Sequence, residues 1–196
     1  SKNLIAVTGT NGKSSITDFY HQILRLNNKK VASIGTLGVK TNTKNLNLIN
    51  TTADPIQLSK ILRKLKRQKI DNVIMEASSH GLKQNRLDGL NFNIGIFTNL
   101  SQDHLDYHKD LKNYLKAKLY LFEKLVRKRG YVITDEKIPE FKKIKRIAIN
   151  KNLKLQTLNS NSGKFGILSH SFKGERQLLK IRHSNQVKNL ILNLIG

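Results

Sequence analysis

The stretch that most restricts what this chain can fold into is Thr8-Gly9-Thr10-Asn11-Gly12-Lys13-Ser14-Ser15. An apolar run, Leu4-Ile5-Ala6-Val7, precedes it. Ile16, Phe19, Tyr20, Ile23 and Leu24 follow at helical spacing. A buried strand, a glycine turn and an amphipathic helix in that order open an α/β unit. The same order makes an anion site. Backbone N–H groups and the helix dipole favour phosphate oxygens there, and glycine lets the backbone come close. Lys13 adds a charge, and the Ser14 hydroxyl is a hard oxygen ligand suited to magnesium. The general G-x-x-x-x-G-K-[ST] pattern asks for glycine where this chain has Val7, so the loop is a shortened relative of it. The other reading is an ordinary glycine turn that opens a helix.

Further α/β units follow. Val31 to Ile34, Asn72 to Met75, Ile94 to Phe97 and Tyr131 to Thr134 read as strands, and Ile147 to Ile149 as another. Leu58, Ile61, Leu62 and Leu65 mark one helix, and Leu111, Leu115, Leu119, Phe122 and Leu125 or Val126 a longer one. Residues 35–53 read as a loop. After about residue 150, short alternating stretches predict antiparallel strands over 151–184, and a closing helix from about Gln186. The expectation is one α/β domain over 1–196. It has a mostly parallel sheet, helices on both faces, a phosphate loop after the first strand and a small antiparallel β appendage near the C-terminus.

Composition narrows the classes. At 196 residues a single core is large enough to stand without disulfides, and the chain has no cysteine. No apolar run reaches the ~18 residues of a membrane span. These features predict a cytoplasmic protein. The net charge is +23. It divides as 15 basic and 5 acidic side chains in residues 1–100, and 21 and 8 in residues 101–196. Charge spread so evenly along the sequence argues against a nucleic-acid footprint, and aromatics are only 6%. A basic binding module without catalysis is the rival class.

Two further groups can carry chemistry. Glu76 ends an apolar strand, where open α/β sheets bind ligands, and could hold a metal beside the phosphate loop or be a helix-capping or surface carboxylate. Asp103-His104-Leu105-Asp106-Tyr107-His108 follows another strand end. It is either a metal loop or a polar loop held by its own hydrogen bonds. Lys118 lies within a helix, where the default is a surface lysine that snorkels.

Together these stretches resemble the Mur ligases, of the kind that extend a UDP-N-acetylmuramoyl-dipeptide (MurE type). The resemblance rests on T-G-T-N-G-K-S-S from Thr8, N-T-T-A-D-P from Asn50 and M-E-A-S-S-H-G-L-K-Q-N-R-L from Met75. It continues with F-T-N-L-S-Q-D-H-L-D-Y-H from Phe97 and Y-L-K-A-K from Tyr114, all in family order. It implies the central ATP-binding domain of an ATP-dependent amide ligase of peptidoglycan synthesis. Such an enzyme adds a diamino acid to UDP-MurNAc-L-Ala-D-Glu through an acyl phosphate. By the same resemblance Gly9, Thr10, Asn11, Gly12, Lys13, Ser14 and Ser15 bind ATP, joined by Gln186 and Asn189. Ser14, Glu76, His104 and a carbamylated Lys118 hold two magnesium ions. Lys13, Lys118 and His104 are the catalytic set. Asn50, Thr51, Thr52, Ser78, Gln84 and Arg86 bind the UDP-MurNAc-dipeptide. No nucleic-acid or membrane partner is implied.

The chain departs from the family pattern in three places. Ser14-Ser15 stands for Thr-Thr, Thr134-Asp135-Glu136 for Asn-Asp-Asp, and Arg182 to Asn189 lacks the Gly and Phe of a Gly-x-Phe-(Asn/Gln)-x-x-Asn pattern. The resemblance also places an N-terminal uridine-nucleotide domain and a C-terminal amino-acid-selecting domain outside residues 1–196. The expectation is weak Mg·ATP binding with little turnover by this chain alone. A degenerate homologue that binds nucleotide without ligation is the remaining alternative.

Overall fold

The computed structural model describes residues 2–159, 165–184 and 186–193. Strand β1 (Asn3–Thr8) leads through the glycine loop into helix α1 (Lys13–Leu26). Next come β2 (Val31–Gly35), β3 (Gly38–Thr41), β4 (Asn45–Leu46), α2 (Pro55–Arg67) and β5 (Asn72–Glu76). The short α3 (Ser79–Lys83), β6 (Phe92–Phe97), α4 (Leu105–His108) and α5 (Leu111–Tyr120) follow. A π-helical turn, Leu121–Leu125, runs directly into β7 (Val126–Asp135), and then come α6 (Phe141–Asn150) and β8 (Lys154–Leu158). Three strands finish the described chain: β9 (Phe165–Lys173), β10 (Arg176–His183) and β11 (Gln186–Leu192).

All strands join one sheet in the order β11-β10-β9-β8-β7-β6-β1-β5-β2-β3-β4. The central six, β2-β5-β1-β6-β7-β8, are parallel. The residues of β1, β2 and β5 are mostly apolar and buried because helices cover the sheet on both sides, whereas β7 and β8 also carry exposed polar residues. One face carries Ile5, Val7 and Ile74 under Ile16 and Tyr20 of α1. The other carries Leu4, Ala6, Ala32, Val73, Met75 and Val132 under α2, α3, α5 and α6. From β1 the chain runs out to β2, β3 and β4, comes back to lay β5 between β2 and β1, and then crosses to β1's other side as β6. That reversal opens a crevice at the carboxyl ends of β1, β5 and β6, the position at which such sheets bind ligands.

Three sequence expectations change. Residues 35–53 are not all loop: β3 and β4 pair there as an antiparallel edge. Ile147 to Ile149 belongs to α6, whose Ile144 and Ala148 are buried at helical spacing. The closing segment from Gln186 is the strand β11, not a helix, because it pairs with β10 from Gln177↔Leu192 to His183↔Gln186. The antiparallel appendage is therefore β9–β11, which meets the parallel sheet through the single pair Leu158↔Phe165.

Candidate active site

The phosphate loop is shaped by backbone constraints and by β6. Gly9 has φ +146°, and a Cβ there would stand 1.8 Å from Thr98 Oγ1. Gly12, at φ +82°, is the N-cap of α1 and offers no side chain to cap it. Helices α2, α3 and α5 are capped by Asp54, Ser78 and Asp110 instead. The first N–H groups of α1 are thus left for an anion, and they sit at the positive end of the helix dipole.

Residues after β6 fix the loop's position. Thr98 Oγ1 donates to the Asn11 carbonyl (2.7 Å), and Asn11 N–H donates to Asn99 Oδ1 (2.9 Å). Thr10 N–H donates to the Asn99 carbonyl (2.9 Å), and Ser101 N–H donates to Thr10 Oγ1 (3.0 Å). Sequence reasoning gave Thr98, Asn99 and Ser101 no role. The available signal was a polar run directly after a strand end beside the phosphate-loop strand.

Lys13 Nζ donates to the carbonyls of Gly9 (3.1 Å) and Thr10 (2.7 Å). Partial burial lowers its pKa, while Glu76 and Asp103 pull it back up. Ser14 Oγ donates to Glu76 Oε2 (3.0 Å). Glu76 is buried at the end of β5 and also accepts from Thr36 N–H (2.9 Å) and Thr36 Oγ1 (3.3 Å). Thr36 is a fourth residue that sequence reasoning passed over. A buried carboxylate beside a serine hydroxyl, with Lys13 as its neighbouring charge, is a hard-oxygen donor set that fits magnesium.

Thr51, Thr52, Ser78 and Arg86, four of the residues that the resemblance assigns to the dipeptide nucleotide, join the same corner. Thr36 Oγ1 lies 3.0 Å from Thr51 Oγ1. Thr52 Oγ1 donates to the Glu76 carbonyl (3.1 Å) and contacts Ser78 Oγ at 2.9 Å. Arg86 Nη1 donates to the Thr52 carbonyl (2.8 Å). Gln84 Nε2 donates to Tyr107 Oη (3.1 Å), which ties α3 to the loop after β6. Asn50 is exposed beside Thr51.

Lys118 overturns the surface reading. It is only 1% exposed, and its ammonium donates to the Gly9 carbonyl at 2.6 Å and lies 4.1 Å from the Tyr114 ring centre. Burial, then the charge of Lys13, pushes its pKa down from 10.5 to about 7, against the pull of Asp103. A lysine in this state has a large neutral fraction at neutral pH and can act as a nucleophile.

His104 adopts φ +53° and places Nε2 3.4 Å from Asp103 Oδ2. Its ring packs edge-on to His80, with centroids 4.9 Å apart. Among the described residues no group of three or more His, Asp or Glu side chains converges as a metal site. Ser14 and Glu76 are brought together; the His104 ring centre lies 6.2 Å from that of Tyr114, whose hydroxyl is 3.3 Å from Thr10 Oγ1 of the phosphate loop. Gln186 and Asn189 lie on β11, six strand positions along the sheet from β1, and no contact joins them to the loop among the described residues. The strand pairing that replaced the expected helix is the reason.

The family described as "Mur ligase middle domain" matches residues 7–196. A Rickettsia conorii protein named UDP-N-acetylmuramoyl-L-alanyl-D-glutamate--2,6-diaminopimelate ligase is 41% identical over 201 residues, covering all of this chain and 41% of that protein. A Rickettsia bellii protein of the same name is 44% identical over 179 residues, covering 89% and 38%. A solved structure of a ligase with that name superposes with a TM-score of 0.86 at 29% identity, covering 99% of this chain and 40% of that one. The chain spans about two fifths of the length of these curated relatives.

Proposed function

This chain belongs to the Mur ligase family, as a middle domain, and on that premise we propose that it binds Mg·ATP and the dipeptide nucleotide UDP-MurNAc-L-Ala-D-Glu for amide ligation. The names of its relatives favour 2,6-diaminopimelate as the incoming amine. The observation that carries this reading is the shared corner at Glu76. Its side chain meets Ser14 of the phosphate loop, and its backbone carbonyl meets Thr52 of the dipeptide set.

The phosphate loop and the α1 N-terminus hold the β- and γ-phosphates, and Lys13 leaves the Gly9 and Thr10 carbonyls to pair with them. Ser14 and Glu76 are the residues that would hold magnesium, which when bound neutralises charge on the transferring phosphoryl group. Arg86 presents a planar cation to the anionic nucleotide substrate, with Thr51, Thr52 and Ser78 orienting it. The substrate carboxylate attacks the γ-phosphorus, ADP leaves, and the amine displaces phosphate from the acyl phosphate. The domain's contribution is positioning and charge compensation.

Lys118 would supply an anionic ligand for a second ion once its amine has added to carbon dioxide. The ammonium first loses one proton, the amine then forms an N–C bond to carbon dioxide and loses a second proton, so a cation becomes a carbamate anion. With a pKa of about 7 the neutral form is abundant above that pH. A 13C carbonyl resonance from labelled bicarbonate, present in the protein and absent from Lys118→Ala, is the expected signature. Its absence at pH 8 contradicts the assignment.

Acyl-phosphate formation can be tested on this chain with hydroxylamine as the amine. Given Mg·ATP and UDP-MurNAc-L-Ala-D-Glu, the chain should form the hydroxamate slowly, and Lys13→Ala should not. Hydroxamate formed equally well by Lys13→Ala contradicts the ligase reading.

A further inference from the structure

The charge that is even along the sequence is uneven in space. The edge opposite the candidate site is formed by the starts of the parallel strands and the connections that lead into them. Lys2, residues 25–30, 66–71, 124–129 and 151–154 make up most of this edge. They contain thirteen lysines and arginines and one carboxylate, Asp71, which pairs with Lys2. The remaining connection, residues 88–91 into β6, adds Asp88, which accepts two hydrogen-bond contacts from Tyr120 Oη. The cationic side chains are exposed, among them Lys29, Lys30, Arg127 and Lys128.

Eight of the thirteen carboxylates lie at the other edge, around the site, where Asp54 and Asp110 cap helices. Helix dipoles account for part of this sorting, because α/β topology points every helix N-terminus at the site edge. They do not account for Arg127-Lys128-Arg129, which sit in a bulge of β7 against the start of β8.

Two aliphatic side chains project from the same edge: Leu26 at the end of α1, 78% exposed, and Ile149 in the last turn of α6, 69% exposed. They stand on opposite sides of the sheet. The edge segments themselves contain no aromatic residue; Tyr131, level with Lys154 and exposed, is a single ring with the Lys154 ammonium 5.2 Å from its centre, not a row on which successive bases could stack. A broad cationic edge with protruding aliphatics and no stacking platform suits a flat layer of anionic headgroups better than a nucleic acid. From this we propose that the edge opposite the site docks peripherally on an anionic lipid bilayer, leaving the nucleotide crevice facing away from it. No helix among the described residues is long and apolar enough to cross a membrane, so the contact is a surface one.

Vesicle co-sedimentation tests this with the chain as it stands. Vesicles of phosphatidylcholine with about one third phosphatidylglycerol should bind it at least about tenfold better than pure phosphatidylcholine at low salt. That gain should vanish near ~0.5 M salt, where screening is nearly complete within ~4 Å. Arg127→Glu with Lys128→Glu should lower binding about tenfold or more. Lys173→Glu with Lys180→Glu, the same charge change on the exposed β9–β10 hairpin, should have a small effect. Ile149→Ser should weaken binding several-fold without any charge change. All of these variants should keep the Mg·ATP affinity of the parent.

Equal losses from the two charge-reversal pairs would show attraction by net charge alone and overturn the proposal. No preference for anionic vesicles overturns it as well. Tighter binding to duplex RNA, able to strip the chain from vesicles, would assign the edge to nucleic acid instead.

Discussion

His108 is an imidazole kept neutral by its surroundings. It is 1% exposed, and its ring lies 5.0 Å from that of Tyr114 and 5.5 Å from that of His80. Burial, then the charges of Lys83 and its neighbours, pushes its pKa from 6.5 down to about 4. His21 and His80 shift the same way, chiefly through burial. Because the unfolded imidazole binds protons more readily, its contribution to stability is complete above pH 6.5 and is lost as pH falls toward 4. For His108 alone the loss across that window is about 3 kcal/mol. Urea midpoints at pH 7.5 and pH 5 should diverge, and His108→Phe should narrow the gap. An unchanged gap contradicts the burial account. The same scale shows what a sequence conceals. Lys118 follows Leu115 and precedes Leu119 and Phe122, a stripe that places a core beside it. Spacing alone does not say whether a long cationic chain ends in water or turns inward to a carbonyl such as that of Gly9.

At the scale of elements, strong periodicity was readable and competing periodicity was not. Helices α1, α2 and α5 matched their apolar stripes, and β1, β5 and β6 their short buried runs. In α6 the triplet Ile147-Ala148-Ile149 imitates strand alternation, although the wider Ile144 and Ala148 spacing is helical. In β11, Val187, Leu190 and Ile191 have helical spacing, yet pairing with β10 prevails. The π-helical turn after α5 matters most for packing. It carries Leu121, Phe122 and Leu125 into the core just before the chain turns into β7. Phe122 is fully buried, with its ring centre 6.3 Å from that of Phe97. It fills the space above Gly95, where an added Cβ would come within 2.8 Å of its ring. Phe122→Ala should cost about 3–5 kcal/mol in urea unfolding. A loss below ~1 kcal/mol would mean that this turn does not anchor the helix layer.

For the whole molecule, the parallel core places the glycine loop, Glu76 and the polar run after β6 at one edge of the sheet. Most of that grouping was legible, because each segment directly follows an apolar strand run. The clamp formed by Thr98 and Asn99 was not, since it depends on β6 lying beside β1, ninety residues away in sequence. The charge asymmetry was hidden for a related reason. Connections distant in sequence assemble on one edge only after the strands have alternated with helices.

The central claim is that Gly9 to Ser14, with Glu76, forms a working Mg·nucleotide site. Calorimetric titration of the folded chain with Mg·ATP, alongside Lys13→Ala, tests it most directly. The account predicts saturable binding that needs magnesium and falls by tenfold or more in Lys13→Ala. Binding that is indifferent to Lys13, or no binding by a chain shown to be folded, would contradict it.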